Sequence, residues 1–351
     1  MHIQCVATFG RDLEPQSRPD LKASGTEVVL KVLAAGVCHS DLHIRDGGYD
    51  MGRGQFLSFA DRGMSLPHVP GHEPTGRILS TGADVPADLN RDANYIIYPW
   101  QGCGSCDVCS EGQENFCKKP RFMGMHYEGA YATQIKVPHW RYLFPMGDIP
   151  PEQAAPLSCS GLTAFGAVKK VENSLGKSPV VIIGAGGLGL MAVSLINTMG
   201  GLAPIVVDID ATKRAAAIDA GARLAIDGNA PDATKQIVAE IGNEAAAVID
   251  FVASEQTSKL AFDLLRKGGT MVLVGLFGGA APWSLPMIPV KSARILGSYM
   301  GSMGEFRELL TLAKSGKLRP LPITTFPLDQ ANTALHQLEN GKIIGRAVLL
   351  P

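Results

Sequence analysis

The chain has 351 residues, 46 percent of them hydrophobic, which suits about two domains with a sizeable core. Its 33 acidic and 32 basic residues leave a formal charge of −1, so nothing in the charge balance favours nucleic acid or an anionic membrane as partner. The run MHIQCVATFGRDLEP lacks a basic segment followed by an apolar one, and no uninterrupted apolar stretch approaches the ~18 residues of a membrane span, so a cytoplasmic protein acting on small molecules is expected.

The first half reads as short strands and turns. TEVVLKVLAAGVC (26–38), GRILSTGADV (76–85), ANYIIYPW (93–100) and GAYATQIKVP (129–138) are each bounded by Gly, Pro, Asn or Asp, as in a β-rich domain. Between the third and fourth lies QGCGSCDVCSEGQENFC, which packs Cys103, Cys106, Cys109 and Cys117 into one loop. Four soft thiolates at this density predict a closed tetrahedral zinc site that stabilises its lobe and leaves no position for substrate. Two disulfides fit poorly with the odd number of remaining cysteines. A bacterial ferredoxin-type cluster would place the fourth cysteine three residues on and follow it with proline, whereas here seven residues intervene and Lys118 follows.

From about residue 153 the texture changes. Apolar runs SPVVIIG, APIVVDID, AAVIDFVA and GTMVLVGL alternate with Ala-rich helical stretches, which predicts a parallel sheet covered on both faces. A helix is expected around EFRELLTLAKSG, and the terminal GRAVLLP reads as a strand that could return to the first domain. The strand PVVIIG runs into GAGGLG and then a helix, so Gly184, Gly186 and Gly189, with Gly187 and Leu188 between them, form a dinucleotide-binding turn: a tight bend, close backbone approach to a pyrophosphate, and close helix–strand packing. About 20 residues on, Asp208 ends the next strand, where a carboxylate accepts hydrogen bonds from adenosine ribose hydroxyls and repels a 2′-phosphate. NAD is therefore expected over NADP. The nearby Lys213 and Arg214 either contact the cofactor and soften that preference or are solvated helix residues.

Outside the cluster Cys38 stands in GVCHSDLH and Cys159 in PLSCSGLTAFG, with His72 in PGHEPTG between them. Singly, each has an ordinary reading as a core cysteine or a satisfied polar histidine. Jointly, two thiolates and one imidazole are a donor set for zinc with an open fourth position.

These motifs, GHE at 71–73, CHSDLH at 38–43, the cysteine cluster, CSGLT at 159–163, GAGGLG at 184–189 and GRAV at 345–348, together resemble the zinc-dependent medium-chain alcohol dehydrogenases over essentially the whole chain. The resemblance implies an α/β architecture with a GroES-like zinc catalytic domain (1–152), a Rossmann doubly wound NAD-binding domain (153–292) and a C-terminal segment (293–351) completing the first. It implies that Cys38, His72 and Cys159 ligate a catalytic zinc, that Glu73 approaches the metal during ligand exchange, and that Asp41 orients the imidazole. Ser40 and His43 match a proton relay running through the ribose hydroxyls, Thr163 packs behind nicotinamide, and His39 and Arg346 match pyrophosphate contacts. Two zinc ions per subunit, NAD, an alcohol, aldehyde or ketone substrate and a homodimer or homotetramer follow as expectations.

Two stretches depart from the family pattern. The segment from Ile44 to Val69 is longer by several residues, and its Tyr49, Met51, Phe56, Leu57 and Phe59 are expected either to wall the substrate or to make subunit contacts. LNRDANYIIYPW lacks the usual Gly-Asp-Arg-Val entry into its strand, which puts the local turn in doubt, and Trp100 is expected to narrow the substrate pocket with its indole. Aliphatic or cyclic alcohols are expected, with ω-hydroxy acids held by Arg45, Arg53 or Arg62 as a variant. Polyol or threonine dehydrogenase is the nearest alternative. A zinc-ribbon nucleic-acid binder is a remote one, because Asp107, Glu111 and Glu114 oppose the few basic residues near the cysteines.

Overall fold

The valine-rich stretch at 28–32 opens a ten-residue strand, Val28–Val37, whose side chains are almost all buried. It lies inside a sheet. Glu73–Thr81 pairs antiparallel along one edge, and Gln134–Val137 and Arg346–Leu350 share the other. Ile323–Pro327, Asn94–Ile97 and Leu143–Pro145 complete seven strands. The carboxyl-terminal strand thus returns to the first lobe, where Ala347 lies opposite Val37, 310 positions earlier. Residues 1–281 and 283–351 are described by the computed structural model.

The second lobe is a six-stranded parallel sheet in the order Leu224–Asp227, Ile205–Asp208, Val181–Ile183, Ala245–Asp250, Leu265–Leu273, Arg294–Gly297. Val181–Ile183 and Ala245–Asp250 are buried at every position, as continuous apolar strands covered on both faces must be. In chain order the sheet reads 3-2-1-4-5-6, a doubly wound sheet whose direction reverses between Val181–Ile183 and Ala245–Asp250. Ligands settle outside the carboxyl ends of the strands at such a reversal.

The parallel sheet runs past residue 292, where the expected division was drawn. Arg294–Gly297 is its sixth strand, paired with Thr270–Leu273, and the first lobe is rejoined only at Ile323. An edge strand with partly exposed side chains lacks the signature of a fully buried one. The segment from 44 to 69 is ordered. Helix His39–Asp46 ends at Gly47, and Gly48–Asp50 pairs antiparallel with Phe56–Ser58, setting Tyr49 opposite Leu57 on one face. A further pair, His2–Cys5 with Glu14–Ser17, was not anticipated. Among the described residues no helix is long and apolar enough to cross a membrane.

Candidate active site

Cys38 ends the central strand of the first sheet, His72 directly precedes the strand beside it, and Cys159 precedes helix Ser160–Lys169. Neighbouring strands and the helix packed on them bring together residues 121 positions apart. Cys38, His72, Glu73 and Cys159 are all buried, and their ligand atoms lie within 4.8 Å of one another. The two sulfurs are 4.0 Å apart, close to the ~3.8 Å that two ~2.3 Å Zn–S bonds subtend at a tetrahedral angle. His72 Nε2 and Glu73 Oε2 are buried without a hydrogen-bond partner. A buried ring nitrogen and two buried thiols converging on one point are a soft three-donor set, and it fits zinc. The hydrogen bond from Cys159, with the His72 imidazole, holds Cys38 well below the ordinary thiol range.

Asp41 organises this cluster. Its Oδ1 faces His72 Nδ1 at 3.2 Å and accepts from Gly71 N at 3.1 Å, while Oδ2 accepts from Cys38 N at 2.9 Å and from the Tyr131 hydroxyl at 3.0 Å. The proton is thereby fixed on Nδ1 and the lone pair on Nε2 turned toward the sulfurs. Glu73 pairs with Arg346, both buried, and burial raises the Glu73 carboxyl. Ser40 places its oxygen 3.9 Å from Cys38 Sγ. The His43 ring lies 4.7 Å from that of Tyr49, tilted by 52°, and burial lowers its pKa, which favours the neutral ring.

The other four cysteines form a separate group. Their sulfurs approach to 4.0 Å (Cys103–Cys109), 3.4 Å (Cys106–Cys109) and 3.7 Å (Cys106–Cys117), and none of the chain's cysteines is disulfide-bonded. Backbone N–H groups of Cys103 and Lys119 donate to Cys117 Sγ, each at 3.3 Å, and hydrogen bonds from Ser105 bring the Cys103 thiol down to about 6. Buried Glu114 ties this loop to the sheet, accepting from Gly102 N at 2.8 Å and the Tyr142 hydroxyl at 2.7 Å and pairing with Arg141.

On the second lobe Gly184 takes φ +96°, and a Cβ on Gly189 would sit 1.8 Å from the Gly184 carbonyl, so only glycine permits this strand-to-helix turn. A Cβ on Gly186 would meet nothing within 4 Å, whereas one on Gly187 would strike Arg346 Cδ. Open space above Gly186 at the start of helix Gly187–Thr198, with a buried guanidinium whose Nε lacks a partner at its edge, fits a dinucleotide pyrophosphate. Asp208 accepts from Ala185 N at 2.7 Å and Asp210 N at 2.9 Å, bracing the turn. Arg214 is held by the Asp208 carbonyl and Asp227, and Lys213 lies in the helix beyond, near Gly341.

One cleft of about 120 Å³ joins both lobes, lined by Cys38, His39, Ser40, His43, His72, Trp100, Cys159 and Thr163 from the first and by Leu188 and Phe251 from the second, with Arg346 at the junction. Asp208 and Lys213 lie outside it.

Residues 24–148 match the alcohol dehydrogenase GroES-like domain and residues 187–315 the zinc-binding dehydrogenase domain. An NAD-dependent alcohol dehydrogenase of Sulfurisphaera tokodaii is 37 percent identical over 353 residues, covering 100 percent of both chains. The chain belongs to the zinc-dependent medium-chain alcohol dehydrogenases. A second NAD-dependent alcohol dehydrogenase, from Saccharolobus solfataricus, is 37 percent identical over 99 percent of each chain. The crystal structure of the alcohol dehydrogenase from Aeropyrum pernix superposes with a TM-score of 0.89 at 29 percent identity, covering 100 percent of both chains. GroES-like and Rossmann lobes are thus the architecture of this family member.

A larger chamber of about 540 Å³ adjoins the inner cleft and shares Met125, Gly275, Leu276 and Tyr299 with it. Tyr49, Met51, Leu57 and Phe59 of the inserted segment line it, so the segment is a cavity wall, although Phe56 faces solvent. Trp100 belongs to the inner cleft, where its indole donates to the Ser158 carbonyl at 3.1 Å and lies 5.3 Å from His72. Arg45, expected as a substrate anchor, is buried in ion pairs with Asp46 and Glu339 and is unavailable. Arg53 is not on the chamber wall, and Arg62 is. Tyr299, Leu276 and Phe251 were missed as site residues. Each follows a strand of the parallel sheet, where the rule on carboxyl ends could have found them.

Asp41→Asn keeps the shape of the cluster but turns one of the two acceptor oxygens into a donor, and with it disturbs two of the four hydrogen bonds. We expect zinc affinity at this site to fall roughly 10- to 100-fold while the thermal midpoint shifts little, measured by metal titration against a chelator.

Proposed function

We propose that this zinc-dependent alcohol dehydrogenase transfers hydride between an alcohol and NAD, interconverting alcohols with aldehydes or ketones, with Cys38, His72 and Cys159 as its catalytic zinc ligands. One observation carries the reading: the unpartnered His72 Nε2 and the two thiols open onto the cleft that Leu188 and Arg346 bound on the glycine-turn side. Bound zinc supplies Lewis acidity toward the substrate oxygen, and NAD supplies the hydride acceptor.

The chain's own residues do the rest. Asp41 presents His72 as a neutral ligand, and Glu73, with one oxygen on Arg346 and one free, is positioned to approach the metal as its ligands exchange. Ser40 accepts the substrate's hydroxyl proton while releasing its own toward His43, whose ring burial keeps neutral and so able to take a proton and pass it to solvent. Trp100 and Tyr299 restrict water around the carbinol carbon, and Thr163 with Leu188 seats the nicotinamide. His39 and Arg346 hold the pyrophosphate over Gly186 and Gly187, and Asp208 selects NAD. With Arg214 tied to Asp227, little softens that selection. The Cys103–Cys117 group takes the second zinc, as structural support.

A homo-oligomer is supported by the outer edge of Arg294–Gly297, which pairs with no further strand among the described residues, and by Leu285 and Val290, which are 75 and 57 percent exposed. Seven unbonded cysteines suit the reducing cytoplasm.

The test is Ser40→Ala, assayed by NAD reduction. We expect kcat to fall about 10²- to 10⁴-fold, with the dissociation constant for NAD little altered. Equal losses in turnover and NAD binding would remove Ser40 from the relay.

A further inference from the structure

The outer chamber holds several times the volume of the inner cleft, and the two adjoin at Met125, Leu276 and Tyr299, side chains that line both. A short alcohol fills only the inner space, so the chamber is sized for the remainder of a longer substrate. Met51, Leu57, Phe59, Met64 and Phe122 make most of its wall apolar, which suits a run of methylenes. One cation interrupts that wall. Arg62 is exposed and, among the described residues, its guanidinium makes no ion pair and no hydrogen bond.

Beside it, His126 accepts from Phe122 N at 3.1 Å through Nδ1, so the neutral ring carries its proton on Nε2 and offers a second donor. Burial, with the Arg62 charge nearby, lowers the His126 pKa and keeps that ring neutral. The one carboxylate on the wall, Asp50, is engaged at Oδ1 by Gly52 N at 2.8 Å and packs against Gly278 of the second lobe. An anion is therefore repelled from the Asp50 side and drawn toward Arg62.

We infer that the outer chamber recognises alcohols bearing a carboxylate at the end remote from the hydroxyl, with Arg62 and His126 as its carboxylate donors. The inference rests on the alcohol dehydrogenase reading and names a substrate class for it. A planar guanidinium matches a planar carboxylate with two parallel hydrogen bonds.

The test compares ω-hydroxyoctanoate with octanol, both followed by NAD reduction on the zinc-loaded full chain. The ratio of kcat/KM for the acid over the alcohol is expected to fall about tenfold in Arg62→Gln and to recover in part in Arg62→Lys. Raising ionic strength should lower the same ratio in the unaltered protein. A ratio unmoved by Arg62→Gln overturns the inference. The methyl ester of ω-hydroxyoctanoate should lose the Arg62 dependence, and an ester as sensitive as the acid would also overturn it. Failure of the unaltered protein to reduce NAD with either alcohol would strike the alcohol dehydrogenase reading itself, a distinct result.

Discussion

A Cys159→Ala variant is expected to oxidise alcohols at least about a thousandfold more slowly than the unaltered protein and to carry one zinc per chain in place of two. The size follows from the several kcal/mol by which a Lewis acid stabilises developing oxygen charge, each ~1.4 kcal/mol being tenfold in rate. Removing one sulfur leaves Cys38 and His72 as a two-point site, too weak to hold the ion against solvent. The lobe should stay folded, because Cys159 is a small residue at the cleft floor and the separate Cys103–Cys117 group is untouched. Metal analysis and circular dichroism beside the kinetics separate this from unfolding. Full zinc content with full turnover would remove Cys159 from the ligand set.

The second large effect concerns the other cluster. Cys117→Ser should lower the thermal midpoint by about 10 °C or more, with activity below that temperature largely kept. Cys117 sits at the hub of its loop, its sulfur accepting from two backbone N–H groups and lying 3.7 Å from Cys106. Oxygen is a poorer partner for zinc in a four-thiolate cage, so the ion is lost and the loop keeps only Glu114 as its anchor to the sheet. That anchor is why the expected loss is smaller than the ~10 kcal/mol or more of an isolated zinc module. A variant that loses this zinc yet melts at the original temperature would show the metal to be structurally idle.

How much of this was legible before folding depends on how local each feature is. The cysteine cluster lies within fifteen positions of one loop, so spacing alone brings the thiolates together. Gly184 to Gly189 is likewise one turn, and the continuous apolar strands around it announce a sheet buried on both faces. Cys38, His72 and Cys159 were different. Nothing in their spacing makes them neighbours, and only the ordered motif set of a known family tied them together ahead of the fold.

The segment from 44 to 69 marks where reading from sequence stops. Its composition fitted a substrate wall and a subunit contact equally, and its three arginines looked alike. Tertiary contacts separate them: Arg45 is spent on Asp46 and Glu339, Arg53 lies off the wall, and Arg62 stands on it with no partner among the described residues. The strand Arg294–Gly297 escaped for a related reason, since an edge strand is half solvated and its pattern does not declare which sheet it joins.

From its residues alone the chain determined its cofactor turn and its four-cysteine loop, because donor chemistry and tight turns are written in short-range composition, whereas its reaction class and the grouping of Cys38, His72 and Cys159 were legible only through the ordered motifs it shares with a known family. Pairing Val28–Val37 with a terminal strand more than three hundred positions later, setting Tyr299 and Leu276 in one cleft with Trp100, and deciding which arginine stands on the chamber wall all fell to the tertiary structure. Those outcomes depend on which distant surfaces exclude water together, and no local pattern encodes that.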